Sequence, residues 1–334
     1  MDLNNQAPPT ISIFMPVFNG EKHLEKSIES VLNQSFKEYE LVIVDDSSTD
    51  SSLSIINNYQ SKDERIKVFK KQNGGNVPKS WNYVMPLLSG EFITYMSQDD
   101  KISENYLMYN YKRFKETGAN IIIPEIVYDY GENKTNKSIG IEGDNTLIIS
   151  GEEAFILTIL SKLHGFIFVK SSYIINEVFD ENIFNSDEYI FKKILLKTNK
   201  VAFSKGTFYY NLSNKDAISK KFSKQQFERL LADQKLILLM EESNIDLRYI
   251  HFYERASLNN MLRLYSKSSF KIKINDKKSK EIFNNHFKFL KNRRLSKSFS
   301  WIKKPLIGLL MINKLTIIIG VILVFLKNKI KRLL

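Results

Sequence analysis

Cysteine is absent from the 334-residue chain. Disulfides and thiolate metal sites are therefore excluded, and a reducing compartment is compatible. Acidic residues nearly vanish toward the C-terminus. From Ser266 to Leu334 there are 18 lysines and arginines against two acids, Asp276 and Glu281, a net of +16. The other 265 residues carry 31 basic and 35 acidic side chains, a net of −4. The overall charge of +12 thus belongs to a tail, a pattern that points to an anionic surface at one end, lipid or nucleic acid. MDLNNQAPPT at the N-terminus lacks a basic stretch leading into an apolar run, so no secretory signal is expected. Internal repeats are missing as well.

Long apolar runs are scarce. The one candidate, residues 305–326, is 22 long and broken by Asn313, Lys314 and Thr316. Its purest part, 315–325, is about half of the roughly 20 residues that a spanning helix needs. A lysine near the centre costs about 3 kcal/mol on insertion scales, which the many leucines and isoleucines can offset. A membrane-embedded segment, a buried core helix and an oligomerisation helix all stay open. The flanking cations, Lys303 and Lys304 before and Lys327, Lys329, Lys331 and Arg332 after, favour the membrane, because anionic headgroups attract each at about 1 kcal/mol.

What is present describes a folded α/β protein. A 43% hydrophobic and 12% aromatic composition excludes disorder throughout and allows a sizeable core. ISIFMPVF (11–18), YELVIVDD (39–46), RIKVF (65–69), EFITYM (91–96) and NIIIPEIVY (120–128) read as strands. Between them lie helical patterns, the first with Leu24, Ile28, Val31 and Leu32 at helical spacing. Alternation of helices with continuous apolar strands predicts a parallel sheet covered on both faces. Short strands are expected around 137–149, 166–170, 200–204 and 207–212, with helices at 150–160 and 187–197. Three further helix patterns from 215 to about 294 predict a helical appendage. In a parallel sheet the ligand crevice lies beyond the carboxyl ends of the strands. Phe18-Asn19, Asp45-Asp46 and Asp99-Asp100 all fall at such ends.

ISIFMPVFNGEKHLEKSIESVLNQSF, followed by YELVIVDDSSTDSS, closely resembles the start of inverting family-2 glycosyltransferases with the GT-A fold, of the bacterial surface-polysaccharide (capsule or lipopolysaccharide) type. NGGNVPKSWNYVMPLLSGEFITYMSQDD resembles the same family's run into its DxD-type motif. The resemblance covers about residues 10–130 and continues more loosely through SDEYIFKKIL to about 222. It implies a Rossmann-like, mostly parallel catalytic domain over 1–214, with nucleotide-sugar binding in 10–130 and the acceptor side in 131–214. A helical appendage would occupy 215–300, and an apolar, basic membrane-associating segment 301–334.

The resemblance also implies roles. Pro16 and Phe18 lie against a nucleobase, and Asp46 accepts a hydrogen bond from it. Asp99 faces the ribose, and Asp100 ligates Mg²⁺ or Mn²⁺ on the diphosphate. Asp187 is the general base. Because the order here is Ser186-Asp187-Glu188 where the family often has Glu-Asp, Glu188 remains an alternative base. Gln98 is a second departure, standing in the DxD slot. Lys79 is a candidate for the diphosphate, His164 for an extra metal ligand, and Asp45 for a turn cap. The residue types suit the chemistry. A leaving diphosphate gains charge that a hard divalent cation neutralises with only one or two protein carboxylates. Inversion needs a carboxylate across the crevice to take the acceptor's proton.

The implied partners are a nucleotide-diphospho-sugar donor, a glycan or lipid-linked acceptor, and the cytoplasmic face of the plasma membrane through the C-terminus. Competing classes fit less well. A nucleotidyltransferase would carry a Gly-rich basic signature after the first strand, where MPVFNGEKH stands. A nucleic-acid binder would interleave its basic residues with exposed aromatics, and a processive synthase would need several spanning helices.

Overall fold

The computed structural model describes residues 9–131, 134–214, 222–271 and 276–293. The segment 301–334 and the boundary at 215 lie outside those residues. Residues up to 181 and from 185 to 214 form one compact unit; residues 182–184 and those from 222 onward form another.

In the first unit strands and helices alternate as the apolar pattern requires. The order is β1 (Ile11–Val17), α1 (Leu24–Leu32), β2 (Tyr39–Asp45), α2 (Ser52–Gln60), β3 (Ile66–Lys70), α3 (Val77–Val84), β4 (Phe92–Tyr95), β5 (Lys101–Ile102) and α4 (Tyr106–Thr117). It continues with β6 (Ile121–Asp129), β7 (Thr135–Ser138), β8 (Ile148–Ile149), α5 (Gly151–Ile159), β9 (Phe168–Lys170), α6 (Ser186–Leu195) and β10 (Val201–Asn211). Every residue of β2 is buried, as a continuous apolar strand covered on both faces must be. Helix ends follow local chemistry. Ser150 accepts the Glu153 N–H at 3.1 Å to open α5, and Gly118, at φ 65°, closes α4 in the left-handed conformation.

The ten strands make one sheet in the order β3-β2-β1-β4-β9-β6-β10-β5, with β7 on β6 and β8 on β10. β3, β2, β1 and β4 run parallel, and so do β6 and β10. The sequence pattern suggests one parallel series, but three-residue β9 lies antiparallel between β4 and β6. Two reversals restore the direction, so the six long strands still end at one edge. Residues 200–212, which read as two strands, are the single β10, with a register shift against β6 between Phe203 and Thr207. Pro124 of β6 lies opposite that shift, where a missing N–H is tolerated in a central strand.

Ile13, Met15, Leu41, Ile43 and Phe92 pack under Leu24, Ile28 and Val31 of α1. On the other side of the sheet Trp81 of α3 is fully buried. It stacks on Phe179 with centroids 5.0 Å apart and meets Phe14 edge-on at 4.6 Å. At the start of β2 the buried Glu40 accepts Ser89 N–H at 2.8 Å, Ser89 Oγ at 2.9 Å and the Ser12 hydroxyl, and it pairs with Lys67.

In the second unit α7 (Arg229–Glu242), α8 (Leu247–Lys271) and α9 (Lys277–Arg293) pack through Leu230, Met261, Ile282 and Phe283. A buried polar chain crosses all three. Asp233 accepts Tyr253 and Ser257 hydroxyls, each at 2.8 Å, and Ser257 Oγ lies 2.8 Å from His286 Nε2. Among the described residues no helix is long and apolar enough to cross a membrane.

Burial acts to raise the pKa of Glu40, but Lys67, Ser12 and Ser89 together hold it below the usual carboxylate value. Its folded pKa is thus depressed, and its stabilisation is present at neutral pH and lost as pH falls through that value. Glu40→Ala is expected to cost about 2 kcal/mol at pH 7, since it strands several buried donors. Denaturant unfolding at pH 7 and pH 3 should show that difference shrinking in acid.

Candidate active site

At the carboxyl edge, the loops after β1 and β2 hold each other. Asn19, at φ 50°, gives its N–H to Ser48 Oγ at 3.0 Å, and its Oδ1 accepts Thr49 N–H at 2.8 Å. Gly20 N–H reaches Ser52 Oγ at 2.8 Å. The Asp50 carboxylate accepts Glu21 N–H at 3.1 Å and Ser52 N–H at 2.9 Å. The run SSTDSS therefore supplies acceptors to the Asn-Gly turn as well as opening α2. Asp45 is buried, with both carboxylate oxygens 3.3 Å from Ser48 N–H, so it closes the turn.

Asp46 does something different. It accepts Gly74 N–H at 2.8 Å and forms an ion pair with Lys71 in which both side chains are about nine-tenths buried. Lys71 was not picked out by pattern. β2 and β3 pair Asp45 with Lys70, and the next step brings Asp46 beside Lys71, but a register of this kind is invisible in one sequence. A groove of about 530 Å³ opens next to the pair, lined by Lys71, Asn73, Gly74, Lys79, Asn82 and Tyr83. Lys79 stands in the first turn of α3, where Asn76 caps the helix by accepting its N–H at 3.2 Å.

The carboxylates after β4 are held from two directions. Asp100 is buried; it accepts Ser97 N–H at 3.3 Å and Asn211 N–H, from the end of β10, at 3.0 Å. Asp99 accepts Asn214 Nδ2 at 2.6 Å. Behind them runs a polar stripe spaced like a helix face. Ser27 Oγ donates to the Gln98 carbonyl at 2.8 Å, and Ser30 Oγ accepts Ile102 N–H at 3.3 Å. Gln34 then bridges Ser103 O at 2.8 Å and Leu107 N–H at 3.0 Å. The SIESVLNQ block is thus the mount for the segment carrying Asp99 and Asp100. Burial, then the charge of Asp99, pushes Asp100 up to about 8.

Across the crevice, Asp187 lies in the first turn of α6. Burial and the neighbouring Glu188 charge push it up to about 6. Glu188 points elsewhere: it is exposed and binds Lys192 at 2.7 Å and Asn185 at 3.1 Å. Tyr95, at the end of β4, relates the two sides. Burial raises its phenol well above the ordinary value, and the charges of Asp187, Asp100 and Asp99 reinforce this in that order. The phenol thus feels charge from both α6 and the segment after β4, a relation that residue order alone does not show.

His164 is not among them. Its Nδ1 accepts Phe166 N–H at 3.2 Å and its Nε2 meets the Pro124 carbonyl at 2.9 Å. Burial lowers it to about 4. With both ring nitrogens on the backbone it is a structural histidine. Phe18 is 37% exposed at the crevice, and Pro16 is half-buried beside Val44 of β2.

Among the described residues no group of three or more His, Cys, Asp or Glu side chains is arranged to hold a metal ion. The donor set at 99–100 nonetheless fits a hard divalent cation. Two adjacent carboxylates, one kept protonated near neutrality by burial and its neighbour, gain most from a positive charge, and one or two such ligands suffice when phosphate oxygens and water complete the shell.

Comparison with known proteins follows the same lines. The profile of glycosyl transferase family 2 matches residues 12–173. Glycosyltransferase GlyG of Streptococcus pneumoniae is 28% identical over 212 residues, spanning 60% of this chain and 69% of that protein. The GalNAc(5)-diNAcBac-PP-undecaprenol beta-1,3-glucosyltransferase of Campylobacter jejuni is 27% identical over 235 residues, 70% of this chain and 74% of that protein. The crystal structure of S. aureus TarS 1–349 in complex with UDP-GlcNAc matches with a TM-score of 0.65 at 17% identity, covering 84% of this chain and 80% of that one, a likeness of fold.

The raised value of Asp100 makes a stability prediction. Its folded pKa lies above the unfolded one, so its contribution is favourable below about pH 4 and is lost as pH rises through about 8. In chelator, Asp100→Asn is expected to melt higher than the parent protein at pH 9 and to lose that advantage at pH 5. Thermal unfolding across this range checks it.

Proposed function

We propose that this chain is a family-2 glycosyltransferase with the GT-A fold, supported by the family profile over residues 12–173 and the fold likeness to TarS, and that it moves one sugar from a nucleotide-diphosphate donor to a hydroxyl of a surface-glycan precursor, with inversion at the anomeric carbon. The observation that carries this reading is that Asp46 follows β2 and Asp99 and Asp100 follow β4 at the carboxyl ends of parallel strands, with the charge of Asp187 felt at Tyr95 at the end of β4. Each has a different task. Phe18 and the backbone at Pro16 receive the nucleobase, and Asp46, steadied by Lys71, accepts its N–H. Asp99 binds the ribose. Lys79, on the wall of the groove, offers a cation to the diphosphate. Asp100 would hold Mg²⁺ or Mn²⁺, assisted by Asp99. When bound, the ion supplies charge neutralisation for the departing diphosphate.

Asp187 serves as general base. The acceptor oxygen attacks the anomeric carbon from the face opposite the diphosphate. Its bond to that carbon forms as the carbon–phosphate oxygen bond breaks, and its proton passes to the Asp187 carboxylate. Two features favour Asp187 over Glu188. Its pKa of about 6 suits proton acceptance near neutrality, while Glu188 is already engaged by Lys192 and Asn185.

The Campylobacter jejuni relative is named for an undecaprenol-diphosphate-linked saccharide, which supports a lipid-linked acceptor here. Such an acceptor suits work at the cytoplasmic face of the plasma membrane, with residues 301–334 as the attachment.

Transfer is tested by screening UDP-, GDP- and dTDP-sugars with Mn²⁺ and following nucleotide release. Asp187→Asn should lower turnover by about 10²–10⁴-fold while donor affinity holds, and the parent rate should fall on the acid side of about pH 6. Loss of turnover in Glu188→Gln instead would move the base by one residue. Deleting 301–334 should shift the protein from the membrane fraction to the supernatant; a protein that stays bound, or was never bound, refutes the attachment.

A further inference from the structure

The amide of Gln98 is occupied by the main chain of another strand end. Its Oε1 accepts Phe18 N–H at 2.8 Å, and its Nε2 donates to the Phe18 carbonyl at 3.0 Å. The side chain thus pairs with residue 18 as an adjacent strand would, one bond in each direction. β1 and β4 are formally paired only as far as Phe14 and Tyr95, so the amide continues the ladder after the backbones part. Its own carbonyl is taken by Ser27 Oγ of α1 at 2.8 Å. The fit is close: a Cβ built on Gly20 would lie 2.5 Å from Gln98 Oε1, so the glycine of the Asn-Gly turn leaves room for this amide.

We propose that Gln98 is a positioning residue for the donor. It fixes Phe18 relative to Asp99 and Asp100, so that the nucleobase side and the diphosphate side of the site move as one piece. This rests on the reading of those three residues as donor-binding. Glutamine suits the task by its chemistry. Both a donor and an acceptor are needed at one tip, which excludes lysine, and a glutamate at neutral pH offers only acceptors while setting a third carboxylate beside Asp99. Asparagine carries the same amide on a stem one methylene shorter.

The decisive measurement is a double-mutant cycle on nucleotide affinity. Calorimetry with the full chain and Mn²⁺ would compare the parent, Gln98→Met, Phe18→Ala and the double variant, using whichever of UDP, GDP and dTDP the parent binds most tightly. Gln98→Met keeps the volume and loses both bonds. It is expected to weaken binding on the order of tenfold. Phe18→Ala should weaken it similarly, and the double variant should bind no worse than the weaker single one, because the ring contributes only while Gln98 holds it.

Additive losses, or parent-like affinity in Gln98→Met, would overturn the proposal; a residue that merely stabilises the fold would lower the melting temperature without this non-additivity. Should Gln98→Met not fold, Gln98→Glu replaces it, keeping the bond from Phe18 N–H and losing the one to the Phe18 carbonyl, with the same non-additivity required. A parent protein that binds none of the three nucleotides would sink the donor reading together with this inference, whereas binding by the parent with additive variants sinks the inference alone.

Discussion

Asp100 keeps its carboxylate out of water one residue from Asp99, and the surrounding fold is arranged to make that tolerable. An unpaired buried carboxylate costs several kcal/mol, so backbone N–H groups are brought to it from Ser97 and Asn211. Supplying the second of these requires the end of β10 to lie beside the residue that leads into β5. The antiparallel pairing of β5 with β10, Lys101 opposite Tyr209, makes that contact. The polar stripe of Ser27, Ser30 and Gln34 serves the same end from below.

The two sides of the crevice are built by different physics. On the side of β1 and β2 the loops are laced by hydrogen bonds from Asn19, Gly20 and Glu21 to the Ser/Thr/Asp run, and Asp46 is locked to Lys71. On the other side the helix that carries Asp187 is fixed by apolar packing. Phe191 of α6 meets Trp81 edge-on at 5.7 Å, within a ring cluster that includes Phe179. Directional bonds fix the loop backbones and the Asp46 carboxylate in one arrangement. Close-packed rings suit a helix whose task is to hold one carboxylate still.

Much of the frame could be read from residue order. The apolar runs at 11–18 and 39–46 became β1 and β2 within about a residue, because a continuous apolar run bounded by turn residues has few other outcomes. Asp46, Asp99 and Asp100 stood out because strand ends in a parallel sheet share an edge. What escaped was whatever depends on pairing between distant segments. β9 is too short to announce its direction, Lys71 needs the β2–β3 register, and Tyr95 gains meaning only when α6 lies across from it. Gln98 read as a departure from a motif, since nothing in one chain says that its amide would meet the backbone of Phe18.

The attachments of Asp99 and Asp100 to Asn214 and Asn211 span more than a hundred residues of chain. While a ribosome is still making the first two hundred residues, the aspartate pair exists without its partners at and just after the end of β10. Contacts of such sequence separation close late. The arrangement of this edge is therefore among the last things the chain acquires as it emerges, and until then the two neighbouring carboxylates lack their contacts to Asn211 and Asn214.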